Sequence, residues 1–409
     1  MPDPSEPAAS RRNRPTGRQL VVVSIAVVSI AVVIGAVVVL VGPKGSPAEA
    51  AAADAITVSH TGCGSGWTDP HGGAQSLTLK NDDSVAGEAD LVAVGGPNDG
   101  KVYGEIEGMG PGTTVTMRVT LGPGSYAIRC VMEDLDPVTG RAVRIGGNAR
   151  SNAGAAVVTS TDLLGPLKAY QAYLVHGVAV LVTRTDALAA SVRSGNLTRA
   201  RTDWLAAHLR YETLGAAYDA FGDYDGEING TTAGLPGGVH DPDFTGFHRV
   251  EYGLWHGESA ASLARVTDQL DSYVHGLRHD LPQVQPQALD IGLRAHEIME
   301  NTLQFELTGR TDYGSHSNLA TASANLAGDR EVISVLRPLL TGRYPRLSEV
   351  DTWANRLRAL LDAQHHGATW TPVTQLSRAA REKLDGTLSQ LVEYLAPVAA
   401  ITEPRRTTS

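Results

Sequence analysis

The period of the hydrophobic pattern changes once along this chain, and that change constrains the fold more than any other feature. From Ala55 to about Gly147 apolar residues alternate with polar ones in short runs such as SLTLKN, TTVTMRVTL and SYAIRC. Glycine, proline, Asn and Asp separate the runs (GGPNDGK, GMGPGTT, LDPVTG). Alternation with that punctuation predicts a β-sandwich over residues 55–150. From Thr159 to about residue 400 the period becomes helical, with long stretches rich in Ala, Leu and Arg. Ser160 or Thr161 is placed to cap a first helix that Gly195 closes, and a second runs from Asn196 to Gly222. Further helices are expected at 259–280, 287–308, 318–340, 348–365 and 375–395, which makes residues 159–400 an all-α bundle.

A third kind of segment precedes both. Leu20 to Val41 is an almost unbroken apolar run, and about 20 such residues cross a bilayer as a helix. Arg11, Arg12, Arg14 and Arg18 lie before it and only Lys44 follows closely. The positive-inside bias then predicts a cytoplasmic tail at 1–19, a transmembrane signal anchor at 20–41, a linker at 42–54 and an extracytoplasmic remainder. Ala48-Glu49-Ala50 offers a cleavage site, but the run is longer than a usual signal-peptide core, which favours an uncleaved anchor. Lys and Arg total 34 against 44 Asp and Glu, a net charge of −10, opposite in sign to a nucleic-acid binder. Cys63 and Cys130 are the only cysteines. Outside the cytoplasm an even count suggests a disulfide.

Residues 246–255, GFHRVEYGLW, gather aromatics in a chain where they make up 5 % of residues. On a helix His248 and Glu251 share a face, and an imidazole and a carboxylate at that spacing suit a metal in a bundle core. A buried core histidine bonded to a glutamate explains the same spacing. Polar groups among Phe247, Leu254 and Trp255 require partners, and a cation is one. The zincin motif H-E-x-x-H is absent, since position 252 is Tyr. His296-Glu297-Ile298-Met299-Glu300 misses it too, ending in Glu.

GFHRVEYGLW resembles the signature of the imelysin family, in particular its EfeO-like periplasmic iron-uptake branch. LAAHLRYETLGAAYDAFGDYD and HSNLATASANLAGDREVISVLRPLL resemble two further segments of that family. The resemblance covers nearly the whole chain after the anchor. It implies a cupredoxin-like domain followed by a helical imelysin domain. Carried over by position, it implies metal ligands at His248, Glu251, Glu212 and Glu300, with Glu297 as second choice; His208, four residues before Glu212, and Asp223 in the following loop are weaker candidates read from the residues themselves. One imidazole with carboxylates suits iron, ferrous or ferric, better than a soft ion; zinc and calcium stay open. This chain also departs from the family. Gly215 and Asn229 stand where relatives often carry acids, and the late helix reads Asn318, Thr321 and Ala327. Fewer acids mean weaker charge compensation for a trivalent ion.

In the β domain, GPGSYAIRCVMEDLD resembles a cupredoxin ligand strand. A copper site from Cys130, Met132 and His60 competes there with a Cys63–Cys130 disulfide, and the disulfide is favoured. The leading expectation is a membrane-tethered iron-binding component, without catalysis, that hands metal to a membrane iron permease alongside a secreted haem peroxidase-like protein. The alternatives are an imelysin-type metallopeptidase and a degenerate relative that binds another envelope ligand.

Overall fold

The computed structural model describes residues 55–284 and 286–405. The cytoplasmic tail, the anchor and the linker expected at 1–54 lie outside the described residues. The β region forms two sheets around one core. In the first, β1 (Ile56–Val58) runs parallel to β2 (Gly73–Asn81), which pairs antiparallel with β5 (Thr114–Leu121). In the second the order is β4 (Val102–Met109), β3 (Gly87–Ala93), β6 (Gly124–Met132) and β7 (Val138–Thr139), with β8 (Val143–Ile145) also on β6. Alternation sets the inward face: Leu77 and Leu79 from one sheet share a core with Leu91, Ile128 and Cys130 from the other.

Cys63 and Cys130 are joined in a disulfide. This corrects the copper expectation. Cys130 offers no thiolate, and Met132 is completely buried among the apolar side chains of the sandwich. His60 is tied through its backbone N–H to the Asp83 carboxylate at 3.0 Å.

The chain leaves the sandwich along β4, where Ala155 bridges to Val102, and returns there at its end. Pro404 bridges to Val158, and the Arg405 guanidinium lies 2.6 Å from Glu105 and 2.8 Å from Glu403.

The bundle begins with α1 (Ser160–Arg193). Thr159, one residue before the expected cap, closes a capping box with Asp162. This helix is long and apolar enough to cross a bilayer, but Leu163, Leu174, Leu181 and Leu188 are buried in the bundle core. Asn196 caps α2 (Leu197–Glu212), accepting from Arg199 N–H at 3.0 Å. The helix expected to run on to Gly222 breaks instead after Glu212. A 3-10 turn at Gly215–Ala217 leads into short α3 (Tyr218–Phe221) and α4 (Asp223–Asn229).

GFHRVEYGLW is α5 (Gly246–Trp255). Gly246 has φ 77°, and a Cβ there would run into the Ile228 carbonyl oxygen, so only glycine lets the helix start this close to α4. Then come α6 (Ala260–Asp280), α7 (Ala288–Asn301), α8 (Asn318–Leu340), α9 (Leu347–Asp362) and α10 (Arg378–Thr402). Past Asn301 the helix continues as a π turn over Thr302–Glu306.

Candidate metal centre

Three chain breaks meet around one cavity. The C-terminal turn of α2 brings Glu212, α5 brings His248, and the π turn after α7 brings Glu306; all three line a cavity of about 130 Å³. π turns recur at functional sites because they turn a side chain off the regular helical phase. Asn229 closes the cavity from the end of α4, and Arg294 and Glu297 reach it from α7.

His248 is 4 % exposed, and its Nδ1 lies 3.3 Å from Glu251 Oε2. A carboxylate there fixes the tautomer with the proton on Nδ1 and leaves Nε2 as the lone-pair nitrogen. Glu251 is 1 % exposed and its other oxygen is fully engaged. Oε1 accepts from Tyr313 N–H at 3.1 Å, Ser315 N–H at 3.0 Å and the Ser315 hydroxyl at 2.5 Å. Glu251 therefore stands behind His248, anchored to the loop before α8, and is not among the residues that line the cavity.

Glu212 is also buried. Its Oε1 accepts from Asn229 Nδ2 at 2.8 Å and lies 3.0 Å from His208 Nε2, off the N–H direction. Burial alone would raise the Glu212 carboxyl, but the His208 imidazolium outweighs it and holds the group below the usual range. For His208 burial opposes the charge, yet Glu212 raises its pKa overall. His208 packs between Trp204, Phe247 and His248, ring centroids 5.0 to 5.3 Å away, and its Nδ1 has no partner. It supports the cavity wall and does not line it. Glu306 is 8 % exposed; Oε1 accepts from Thr311 at 2.6 Å and Oε2 from Asn318 at 2.9 Å. Burial, and after it the charge of Glu212, pushes its carboxyl up. A carboxyl made harder to ionise by burial and by a neighbouring carboxylate is the arrangement that a bound cation would relieve.

The residues inferred from the sequence separate into three groups. Glu212, His248 and Glu297 line the cavity, Glu297 with its Oε2 held 2.7 Å from Arg294 Nη1. Glu251 and His208 lie directly behind it. Glu300 and Asp223 are elsewhere. Glu300 is half-buried on α7, bonded to Gln304 at 3.2 Å and 3.8 Å from His296, and does not line the cavity. Asp223 is exposed in the first turn of α4. Sequence reasoning missed Glu306. On an uninterrupted helix of about 3.6 residues per turn, it would face away from Glu297, and only the π turn brings the two to one cavity.

These ligand atoms are not drawn together into a closed set. Among the described residues, the group whose ligand atoms all lie within 4.8 Å of one another is Asp186 on α1 with Asp271 and His275 on α6. Asp186 and His275 are exposed and Asp271 is half-buried, with His275 Nε2 3.1 Å from Asp186 Oδ1, a surface ion pair.

Residues 160–402 form a helical bundle that encloses a small cavity lined by a buried imidazole and carboxylates, and the chain belongs to the imelysin family, whose model, Peptidase_M75 (imelysin), matches residues 166–398. Among individual proteins it is similar to the iron uptake system component EfeO of Escherichia coli strain K12, of Escherichia coli O157:H7 and of Shigella flexneri. Each is 27 % identical over 302 residues, covering 73 % of this chain and 79 % of the relative.

Proposed function

We propose that this protein is the iron-binding component of an iron uptake system, with the cation held in the cavity between α2, α5 and the π turn. The observation that carries this reading is the convergence of Glu212, His248 and Glu306 on one cavity from three separate chain breaks. The names of the similar proteins point the same way. In this reading His248 binds through Nε2, and Glu212 and Glu306 bind through carboxylate oxygens. Glu251 orients the imidazole as the outer partner common around metal-bound histidines. Oxygen-rich sites of this kind suit iron better than soft metals. The β domain is then a cupredoxin-like module that carries a disulfide and no copper.

The rest of the reading is carried by the sequence and by the family resemblance. The chain is tethered to the membrane by residues 20–41, its bulk is extracytoplasmic, and it passes iron to a permease in that membrane, alongside a haem peroxidase-like protein. Peptidase activity has no part in it, because no glutamate is placed as a general base beside a two-histidine zinc site of the H-E-x-x-H kind.

The test is iron binding by the full-length protein. His248→Ala with Glu251→Ala lowers iron affinity by about ten-fold or more, equivalent to roughly 1.4 kcal/mol, while far-UV circular dichroism stays that of the native bundle. Glu251→Gln alone costs less than His248→Ala alone, because it loosens the ring without removing the ligand. Calorimetry that gives equal affinity for the double variant and the parent rejects the site.

A further inference from the structure

We propose that Tyr211 is a one-electron donor to hydrogen peroxide at the cavity, reached through Tyr218 and with Asp225 as its proton acceptor. This rests on reading the cavity as the iron site. Tyr218 lines the cavity. Its ring stacks on that of Tyr211, with centroids 4.9 Å apart and planes 13° from parallel. Tyr211 is completely buried on α2, directly before Glu212. Its hydroxyl donates to Asp225 Oδ1 at 2.7 Å. Packing explains the stack, but it does not call for the carboxylate. Tyr170, equally buried, has its hydroxyl on the Leu214 carbonyl at 3.5 Å, and Tyr173 on the Thr213 carbonyl at 3.0 Å. A carbonyl oxygen takes no proton from a phenol. A carboxylate does, from within about 2.6–3.2 Å. Asp225 is half-buried in the first turn of α4, so that proton exchanges with water.

The arrangement matters when iron meets peroxide. A ferrous ion has one electron to give, and peroxide split by one electron leaves hydroxide and a hydroxyl radical. Cleavage to water takes two electrons. Here the ferrous ion supplies one and becomes ferric, and Tyr218 supplies the other. The Tyr218 hydroxyl meets only the Tyr211 carbonyl, at 3.4 Å, so its proton has no acceptor there and Tyr211 restores the electron. The O–O bond breaks and two waters form with two protons. One is the phenol proton of Tyr211, released through Asp225, and the other comes from solvent. Tyr211 is left as a neutral radical, shielded by Phe221 and Phe247 at ring-centroid distances of 6.2 and 5.9 Å. A water occupies about 30 Å³ of liquid, so a cavity of about 130 Å³ takes an ion and a peroxide together.

The test loads the full-length protein with ferrous iron without oxygen, mixes it with hydrogen peroxide and freezes it for electron paramagnetic resonance, with a spin trap for hydroxyl radical in a parallel sample. The parent protein is expected to show a tyrosyl radical and little trapped hydroxyl. Tyr211→Phe and Asp225→Asn each abolish the tyrosyl signal and release hydroxyl radical to the trap, while iron affinity holds, since neither residue lines the cavity. Tyr218→Phe slows the appearance of the signal. Iron bound by the parent with no tyrosyl radical after peroxide overturns the relay. A signal of full strength in Tyr211→Phe overturns the assignment to Tyr211, and one of full strength in Asp225→Asn overturns the role of the carboxylate. No ferrous iron bound before peroxide is added overturns the iron reading itself, which keeps the two failures apart.

Discussion

Asp90 and Arg129 in the sandwich, and Glu212 and His208 in the bundle, are both buried ion pairs; what differs is their surroundings. Asp90 on β3 sits directly opposite Arg129 on β6 in the sheet register, and both side chains are less than 5 % exposed. Arg129 donates from Nε at 2.9 Å and from Nη2 at 2.6 Å to one oxygen, Asp90 Oδ2. Even so, burial raises the Asp90 carboxyl more than the guanidinium lowers it. The pair lies on the sheet face turned away from the sandwich core, where the carboxylate opposite Asp90, Glu105 on β4, is matched by Arg405. Glu212, by contrast, faces a cavity with a second carboxylate, Glu306, beside it. Burial of charge alone therefore does not mark a site. A surplus of like charge over protein partners, opening on a space, does.

That contrast can be broken from either side. The largest effect is expected at Asp90→Asn, which leaves Arg129 buried without its counter-ion. Removing one partner of such a pair costs about 3–5 kcal/mol, read as a lower denaturant midpoint for the full-length protein with iron affinity in the folded protein unchanged. A loss under about 1 kcal/mol would show that the sandwich tolerates a lone guanidinium and that the pair is not what holds β3 to β6. Glu306→Gln should do the reverse. Iron affinity falls about ten-fold, near 1.4 kcal/mol, while the iron-free protein gains stability. The sign follows from linkage. The folded Glu306 carboxyl is raised, so its contribution is fully present below the ordinary glutamate range and is lost as pH rises through the folded value. Glutamine has no such loss, so the gain is larger at pH 7 than at pH 4. A variant that loses both affinity and stability at neutral pH would make Glu306 a structural carboxyl like Asp90.

The two regions also differ in how much of them could be read from the sequence. Strand alternation and helical periodicity are local, so the sandwich and the long helices were legible; α8 spans Asn318–Leu340, as its pattern indicates. The His248–Glu251 relation was legible because three residues on a helix define a face, and the two groups do meet at 3.3 Å. Their division of labour was not. It depends on Tyr313 and Ser315, about sixty residues on, whose N–H groups occupy the far oxygen of Glu251. Glu306 was invisible because LQFELTG carries no spacing that announces a π turn. Glu300 was misplaced for the same reason: a regular α7 offers it as the next carboxylate. The break after Glu212 was not legible either: the helical pattern runs on to Gly222, and Gly215, which reads only as a lost ligand, opens the 3-10 turn that follows the break.

The smallest expected effect tests whether a surplus of buried acid away from the cavity is simply a cost. Asp329 on α8 is completely buried, and neither carboxylate oxygen has a hydrogen-bond partner. Burial pushes its pKa well up, opposed only by the charge of Arg330. The unfolded side chain titrates near the ordinary value of about 3.9. Because the folded value is higher, the stability Asp329 contributes is complete below pH 4 and declines as pH rises above that. Asp329→Asn keeps the shape and removes the ionisation, so the thermal midpoint should be unchanged at pH 4 and rise by a few degrees at pH 7, the scale of about 1 kcal/mol in a domain of this size. Iron affinity should not move, since Asp329 does not line the cavity. A fall in midpoint at pH 7 would mean that the ionised carboxylate has a partner in solution, and Asp329 would then belong with Glu212 and not with the plain costs of burial.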